Sequence, residues 1–205
     1  MPKNIAQGAE AVLRKDEWDG LDSLVKDRIE KSYRVEQLDE KLRKSRTKQE
    51  GKLLSEARRS GVPTPQIYEI KETVLTMEYL DGEKVRDMVP EIDAERRKQL
   101  AEEIGEKIGR LHERGIIHGD LTTSNLIFCD DEVYFIDFGL GYFSDSIEDK
   151  AVDLHLIWEV LISTHSRYSE EMWQAIVDGY KNYKEAEKVL KRVKQIKKRG
   201  RYVDR

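Results

Sequence analysis

His118-Gly119-Asp120-Leu121-Thr122-Thr123-Ser124-Asn125, followed a short way on by Ile136-Asp137-Phe138-Gly139, decides how this chain folds. Before the first string, Asp93 reads as the N-cap of a helix that places Leu100, Ile104, Ile108 and Leu111 on one face and stops at Gly115. Ile116-Ile117 then leads into the polar loop. Beyond it, Leu126 to Cys129 and Val133 to Ile136 read as two strands around an Asp130-Asp131 turn. A hairpin therefore separates Asp120 and Asn125 from Asp137. Two carboxylates and an amide in that order offer a proton acceptor and ligands for a hard divalent cation.

Further out, Asn4 to Leu13 and Leu21 to Lys26 read as antiparallel strands about a Trp18-Asp19-Gly20 turn. From Val35 to Arg59 the period becomes helical, with Leu38, Leu42, Leu53, Leu54 and Ala57 recurring on one stripe, and Gly61-Val62-Pro63-Thr64-Pro65 stops it. Strands Gln66 to Ile70 and Thr73 to Glu78 follow. Asp81-Gly82-Glu83 breaks the pattern, which divides the chain into residues 1–80 and 81–205. Three helices are expected from about Ala151 onward. The result is an α+β fold of two lobes: a small β-rich N-lobe with one helix, a reduced helical C-lobe, and a cleft between them.

The spacing D-x-x-x-x-N followed by D-F-G is that of a protein-kinase catalytic loop and metal-binding turn. Asp120 is the expected catalytic base, and Asn125 and Asp137 are the expected Mg2+ ligands. An ATP site also needs a strand lysine held by a helix carboxylate. Lys26, directly after Leu24-Val25, fits better than Lys31 in its polar run. Glu50 shares the stripe of Leu53, Leu54 and Ala57, whereas Glu40 and Glu56 lie off it. Gln7-Gly8-Ala9-Glu10-Ala11 occupies the place of a phosphate-covering loop, although a plain hairpin turn would read the same way. Gly8, Ala9, Glu10 and Ala11, with Ile5 and Leu13 on the flanking strands, are candidate nucleotide contacts. Met77-Glu78-Tyr79-Leu80 takes the position of a hinge whose backbone meets adenine, which adds Met77, Glu78 and Leu80. Asp153 is placed to tie a C-lobe helix to the catalytic loop, or simply to favour a helix start.

Two substitutions narrow the chemistry. Gly119 stands where many protein kinases carry the arginine of H-R-D, so a phosphorylated activation segment would find no charge partner in this loop. Thr122 stands where serine/threonine kinases carry a lysine, which removes a cation for the γ-phosphate. Between Asp137 and Asp153 there is no A-P-E sequence and little room for a peptide platform.

Charged residues make up 38% of the 205 residues, and no apolar run approaches the roughly 18 residues needed to cross a bilayer. A soluble protein is expected. Met1-Pro2-Lys3-Asn4 leads into no apolar signal region, and Cys129, the single cysteine, suits a reducing cytoplasm. The four histidines have no partner at zinc-ligand spacing. Heavy Lys and Glu usage hints at a thermophilic source. Net charge is only −4, yet the stretch from Lys188 to Arg205 is strongly basic. It suits either a solvated helix end or contact with nucleic-acid phosphates.

Beyond the catalytic strings, Gln7-Gly8-Ala9-Glu10-Ala11, Lys31-Ser32-Tyr33-Arg34, Glu148-Asp149-Lys150-Ala151-Val152-Asp153-Leu154, Ser163-Thr164-His165 and Arg199-Gly200-Arg201 run through nearly the whole chain. Together they resemble the KEOPS-complex atypical serine/threonine kinases; Lys52 departs from the arginine many of those carry. The resemblance implies a small bilobal kinase that uses ATP and Mg2+, phosphorylates itself and serine or threonine, and acts mainly as an ATPase in making tRNA N6-threonylcarbamoyladenosine. It also implies binding to the threonylcarbamoyl transferase subunit, to which some archaeal relatives are fused, and to a small subunit on the N-lobe. The basic tail, through Lys197, Lys198, Arg199 and Arg201, would then face tRNA. A freestanding serine/threonine kinase and a pseudokinase scaffold are the competing readings.

Overall fold

The computed structural model describes residues 3–8 and 10–203. Three strands open the fold: β1 (Lys3–Gln7), β2 (Ala11–Trp18) and β3 (Leu21–Arg28). After helix α1 (Glu36–Arg59) come β4 (Ile67–Lys71) and β5 (Val74–Glu78). They form one antiparallel sheet in the order β1-β2-β3-β5-β4. Asp19 and Gly20, both at positive φ (50° and 82°), make the two-residue turn that lets Trp18 pair with Leu21. The stretch from Asn4 to Leu13 holds two strands on either side of the Gln7 to Ala11 loop. The chain turns at Gly8, whose N–H donates to Ala11 O at 3.0 Å, and β2 runs on to Trp18.

Helix α1 departs from its predicted stripe in its first turns. Leu53, Leu54 and Ala57 are buried as expected, but Leu38 is 53% exposed, and Asp39, Thr47 and Glu50 line the inner face. The inward face is polar there because Asp39 receives Arg43 Nε at 2.6 Å and Arg34 Nη1 at 3.3 Å. Apolar periodicity cannot find a face that is buried by ion pairing.

The second lobe starts with β6 (Glu83–Lys84) and the single turn α2 (Val85–Met88), then α3 (Ala94–Glu113) and β7 (Ile116–Ile117). A 3-10 turn over Thr123–Asn125 leads into the hairpin of β8 (Leu126–Cys129) and β9 (Glu132–Phe135), and β10 (Tyr142–Phe143) pairs back onto β7. Helices α4 (Ile147–Thr164), α5 (Ser169–Tyr180) and α6 (Ala186–Val203) complete the chain. Asp93 caps α3 by accepting from Arg96 N at 2.8 Å. The first of the three expected helices starts four residues before Ala151, capped by Ser146 with Asp149 in its first turn. β6 and α2 are too short for periodicity to reveal.

Leu100, Ile104, Ile108 and Leu111 form the buried face of α3. Where α3 crosses α5, a Cβ on Gly105 would lie 2.0 Å from Ile176 O, and one on Gly179 would lie 2.0 Å from Glu102 O. Backbone meets backbone at this crossing, and only hydrogen fits. No helix among the described residues is long and apolar enough to cross a membrane. Gly105→Ala is therefore expected to lower unfolding stability by about 1–3 kcal/mol or more, read as a drop in urea midpoint with unchanged slope.

Candidate active site

Side chains alternate along β3, so Leu24, Lys26 and Arg28 share the face turned toward α1 and the cleft. Lys26 Nζ donates to Glu50 Oε1 at 2.6 Å and to Asp137 Oδ1 at 2.7 Å. Arg28 Nη2 donates to the other oxygen of the same carboxylate, Glu50 Oε2, at 2.5 Å. Burial alone would lower the Lys26 ammonium, but the charges of Glu50 and Asp137 raise it above the ordinary lysine range. Burial would raise the Asp137 carboxyl; the Lys26 charge and hydrogen bond, with the Gly139 N–H at 3.3 Å, hold it below its ordinary value. Asp137 sits at φ 60°, a left-handed conformation that aspartate tolerates better than most residues. Sequence reading missed Arg28, although its position two residues beyond Lys26 on one strand face was the available signal.

Asn125 spends both amide hydrogens on Asp120, one on the backbone O at 2.9 Å and one on Oδ2 at 2.8 Å. Its Oδ1 is then the one side-chain atom left for another task. The backbone amides of His118 and Gly119 donate to the two oxygens of Asp153, at 2.8 and 2.9 Å. Asp153 on α4, the predicted tether, therefore grips the loop by its main chain. Burial would push this carboxyl up, but the bonds from His112 and from the loop hold it below its ordinary value. His118 packs at a tilt on Phe138, 4.4 Å between ring centroids. Its Nδ1 accepts from Asp120 N at 3.3 Å, which leaves the proton on Nε2 for Ile136 O at 3.1 Å. Burial keeps this neutral form by lowering the imidazole pKa. Thr123 Oγ1 is bonded to His165 Nε2 at 2.9 Å, which fastens the loop to the end of α4 as well.

Gly119 is not simply an arginine lost. It sits at φ 78°, and a Cβ there would lie 2.4 Å from Leu140 O. The loop that carries Asp120 and the segment after Gly139 touch through this glycine, so no side chain fits.

Two cavities meet at this cluster and share Leu13, Lys26 and Asp137. One, about 280 Å³, brings together the predicted Ile5, Leu13, Met77, Glu78 and Leu80, with Ile127 and Ile136 closing its floor. The Glu78 and Tyr79 N–H groups are already committed, to Gln66 O at 2.8 Å and Asp22 O at 3.3 Å. The other cavity, about 470 Å³, is lined by Gly8, Glu10, Ala11, Asp120 and Asp137, and also by Arg28 and Arg46, neither of which had been singled out. Glu10 accepts from Arg46 Nη1 at 3.1 Å, which fixes the loop to α1. Ala9 lies outside the described residues.

The basic tail is α6, and it packs on α4 through Val189 and Val193. Lys197 packs over two tryptophan rings. Its ammonium lies 3.3 Å from the Trp158 ring centre and 4.2 Å from that of Trp173. Arg192 Nη2 is paired with Glu148 at 2.9 Å. Lys198 is exposed, and the side chains of Arg199 and Arg201 lie outside the described residues.

The family model for the RIO domain matches residues 16–141, which carry Lys26, Glu50, Asp120, Asn125 and Asp137. The KEOPS complex subunit Bud32 of Pyrococcus abyssi is 40% identical over 99% of this chain and 97% of its own length. The chain belongs to the RIO-domain family of Bud32 proteins. A probable bifunctional tRNA threonylcarbamoyladenosine biosynthesis protein of Methanosarcina acetivorans is 44% identical over 98% of this chain, which spans only 36% of that longer protein. In fold, this Bud32-family chain resembles the Rio2 kinase of Chaetomium thermophilum, solved as an ADP/Mg2+-phosphoaspartate complex. The TM-score is 0.63 at 14% identity, over 97% of this chain and 70% of that one. The architecture is the bilobal α+β fold of protein kinases.

Two outcomes test this geometry. Gly119→Arg, which restores the residue of H-R-D, is expected to lower the thermal midpoint rather than rearm the loop. Asp153 has a folded pKa below its unfolded value, so its contribution is fully present above about pH 4 and is lost as pH falls through the folded pKa. Stability measured from pH 6 downward should decline more steeply in the native chain than in Asp153→Asn.

Proposed function

We propose that this chain binds Mg2+-ATP in the cleft between its lobes and transfers or hydrolyses the terminal phosphoryl group, in the service of tRNA threonylcarbamoyladenosine formation. The carrying observation is that Lys26, Asp120 and Asp137 line one polar cavity that continues into an apolar slot, with Glu50 bonded to Lys26 and Asn125 bonded to Asp120. Residues 1–80 serve as the nucleotide-binding lobe and 81–205 as the catalytic lobe.

The donor set suits a hard cation. The Asp137 carboxylate is kept ionised by Lys26, and Asn125, with both N–H groups spent, offers a carbonyl oxygen. These two residues would hold Mg2+, which when bound neutralises charge on phosphate oxygens. Asp120 has one carboxylate oxygen on Asn125 and the other available to accept a proton from a serine or threonine hydroxyl or from water. Lys26, steadied by Glu50, presents its charge to the inner phosphates. Ile5, Leu13, Met77 and Leu80 sandwich the adenine, and the backbone of Glu78 and Leu80 hydrogen-bonds its edge. Gly8, Ala9, Glu10 and Ala11 cover the phosphates.

The names of the Pyrococcus and Methanosarcina relatives support placing this activity in a KEOPS-type assembly. The partners would be the threonylcarbamoyl transferase, a small subunit on the sheet lobe, and tRNA reached by Lys198, Arg199 and Arg201, with Lys197 serving as an anchor. Such work belongs in the cytoplasm.

ATP turnover of the full chain in Mg2+ is expected to fall at least about 100-fold in Asp120→Asn and in Asp137→Asn, with folding retained by circular dichroism. Unchanged turnover in Asp137→Asn would sink the reading. Adding tRNA and the transferase should raise turnover; a flat response would instead favour a freestanding phosphotransferase.

A further inference from the structure

Thr122 brings no charge to the place where a lysine usually meets the terminal phosphate, so that phosphate needs its cation from elsewhere. The same cavity that holds Asp120 and Asp137 is lined by two guanidinium groups, Arg28 from β3 and Arg46 from α1. Arg28 Nη2 lies within 3.3 Å of where a Cβ on Gly139 would stand, beside the Asp137 turn. Lys26 cannot cover every phosphate. It is already shared between Glu50 and Asp137, and on the reading above it serves the inner ones.

We propose that Arg28 and Arg46 together form the subsite for the terminal phosphate of a bound nucleoside triphosphate, replacing the missing lysine. The inference rests on the nucleotide reading and adds the residues that distinguish a triphosphate from a diphosphate.

The geometry favours it. Lys26 is divided between Glu50 and Asp137, whereas Arg28 meets only the second oxygen of Glu50. Arg28 is buried and held in place by that single bond; its remaining N–H groups form a fixed fork suited to phosphate oxygens. Arg46 is tied by one bond to Glu10, which offsets the one acidic side chain the covering loop brings to the cavity. It also leaves most of the Arg46 donors unspent. Gly8 sits opposite with no side chain to compete for the space. A terminal phosphate with charge-assisted bonds to two arginines should bind with a clear preference over the shorter nucleotide.

Calorimetric titration of the full chain in Mg2+ with ADP and with a nonhydrolysable ATP analogue tests this. In Arg46→Gln, and in Arg28→Gln, affinity for the analogue should fall roughly tenfold or more while ADP affinity stays within about twofold. Arg28 is buried, so thermal unfolding must first show that its variant folds; if it does not, Arg46→Gln, half-exposed, decides the matter. Equal losses for both nucleotides, or no loss for either, would overturn the subsite while leaving nucleotide binding intact. Failure of the native chain to bind either nucleotide would overturn the nucleotide reading, and the subsite with it.

Discussion

One carboxylate holds the cleft together. Glu50 lies on α1, yet its two oxygens are taken by Lys26 and Arg28 of the sheet, and through Lys26 it reaches Asp137 in the other lobe. Three separate elements therefore depend on one nearly inaccessible side chain. Leaving Arg28 buried without that partner would cost about 3–5 kcal/mol, so the helix cannot drift from the sheet without a large penalty. The polar inner face of α1 follows from the same constraint, with Asp39 and Glu50 each neutralised by basic residues from outside the helix or one turn along it.

A second carboxylate does the corresponding work below the cleft. Asp153 binds the His118 to Asn125 loop by its amides, not its side chains, so the position of Asp120 is set by main-chain geometry. His118 closes the arrangement by packing on Phe138 and bonding to Ile136 O. Loop, hairpin and the Asp137 turn thus form one connected piece, in which Asn125 can spend its N–H groups on Asp120 and keep its oxygen for another partner.

Much of this was legible in the sequence, for identifiable reasons. The catalytic strings and the α3 stripe are local patterns: Asp93, Leu100 and Ile104 announce a capped amphipathic helix whatever surrounds them. The Lys26–Glu50 pair was readable because strand and helix periods fix which face each side chain takes. Leu38 misled because an apolar residue near a helix start need not face inward when an aspartate beside it has two arginines waiting. Arg28 could have been found from the same strand alternation that picked out Lys26, whereas nothing in the charged run around Arg46 says which cation turns toward the cleft. Gly119 was seen as a missing arginine, and only the approach of Leu140 O shows that it is a steric requirement. The seat of Lys197 depends on Trp158 and Trp173 meeting from two helices, which no local pattern encodes.

The segment from Gly139 to Ser144 is held at every step: by Gly119 packing on Leu140, by Gln49 Nε2 on Gly141 O at 2.6 Å, by the β7–β10 pairing, and by Ser144 N on Gly115 O at 2.8 Å. Many kinases keep a hinged flap here, with one resting and one working pose. In this chain the flap has been shortened into a strut. A strut of this kind ties the outer wall of the cleft to its floor, so a push on Phe143 or Ser144 is carried through Gly141 and Leu140 to the loop that holds Asp120.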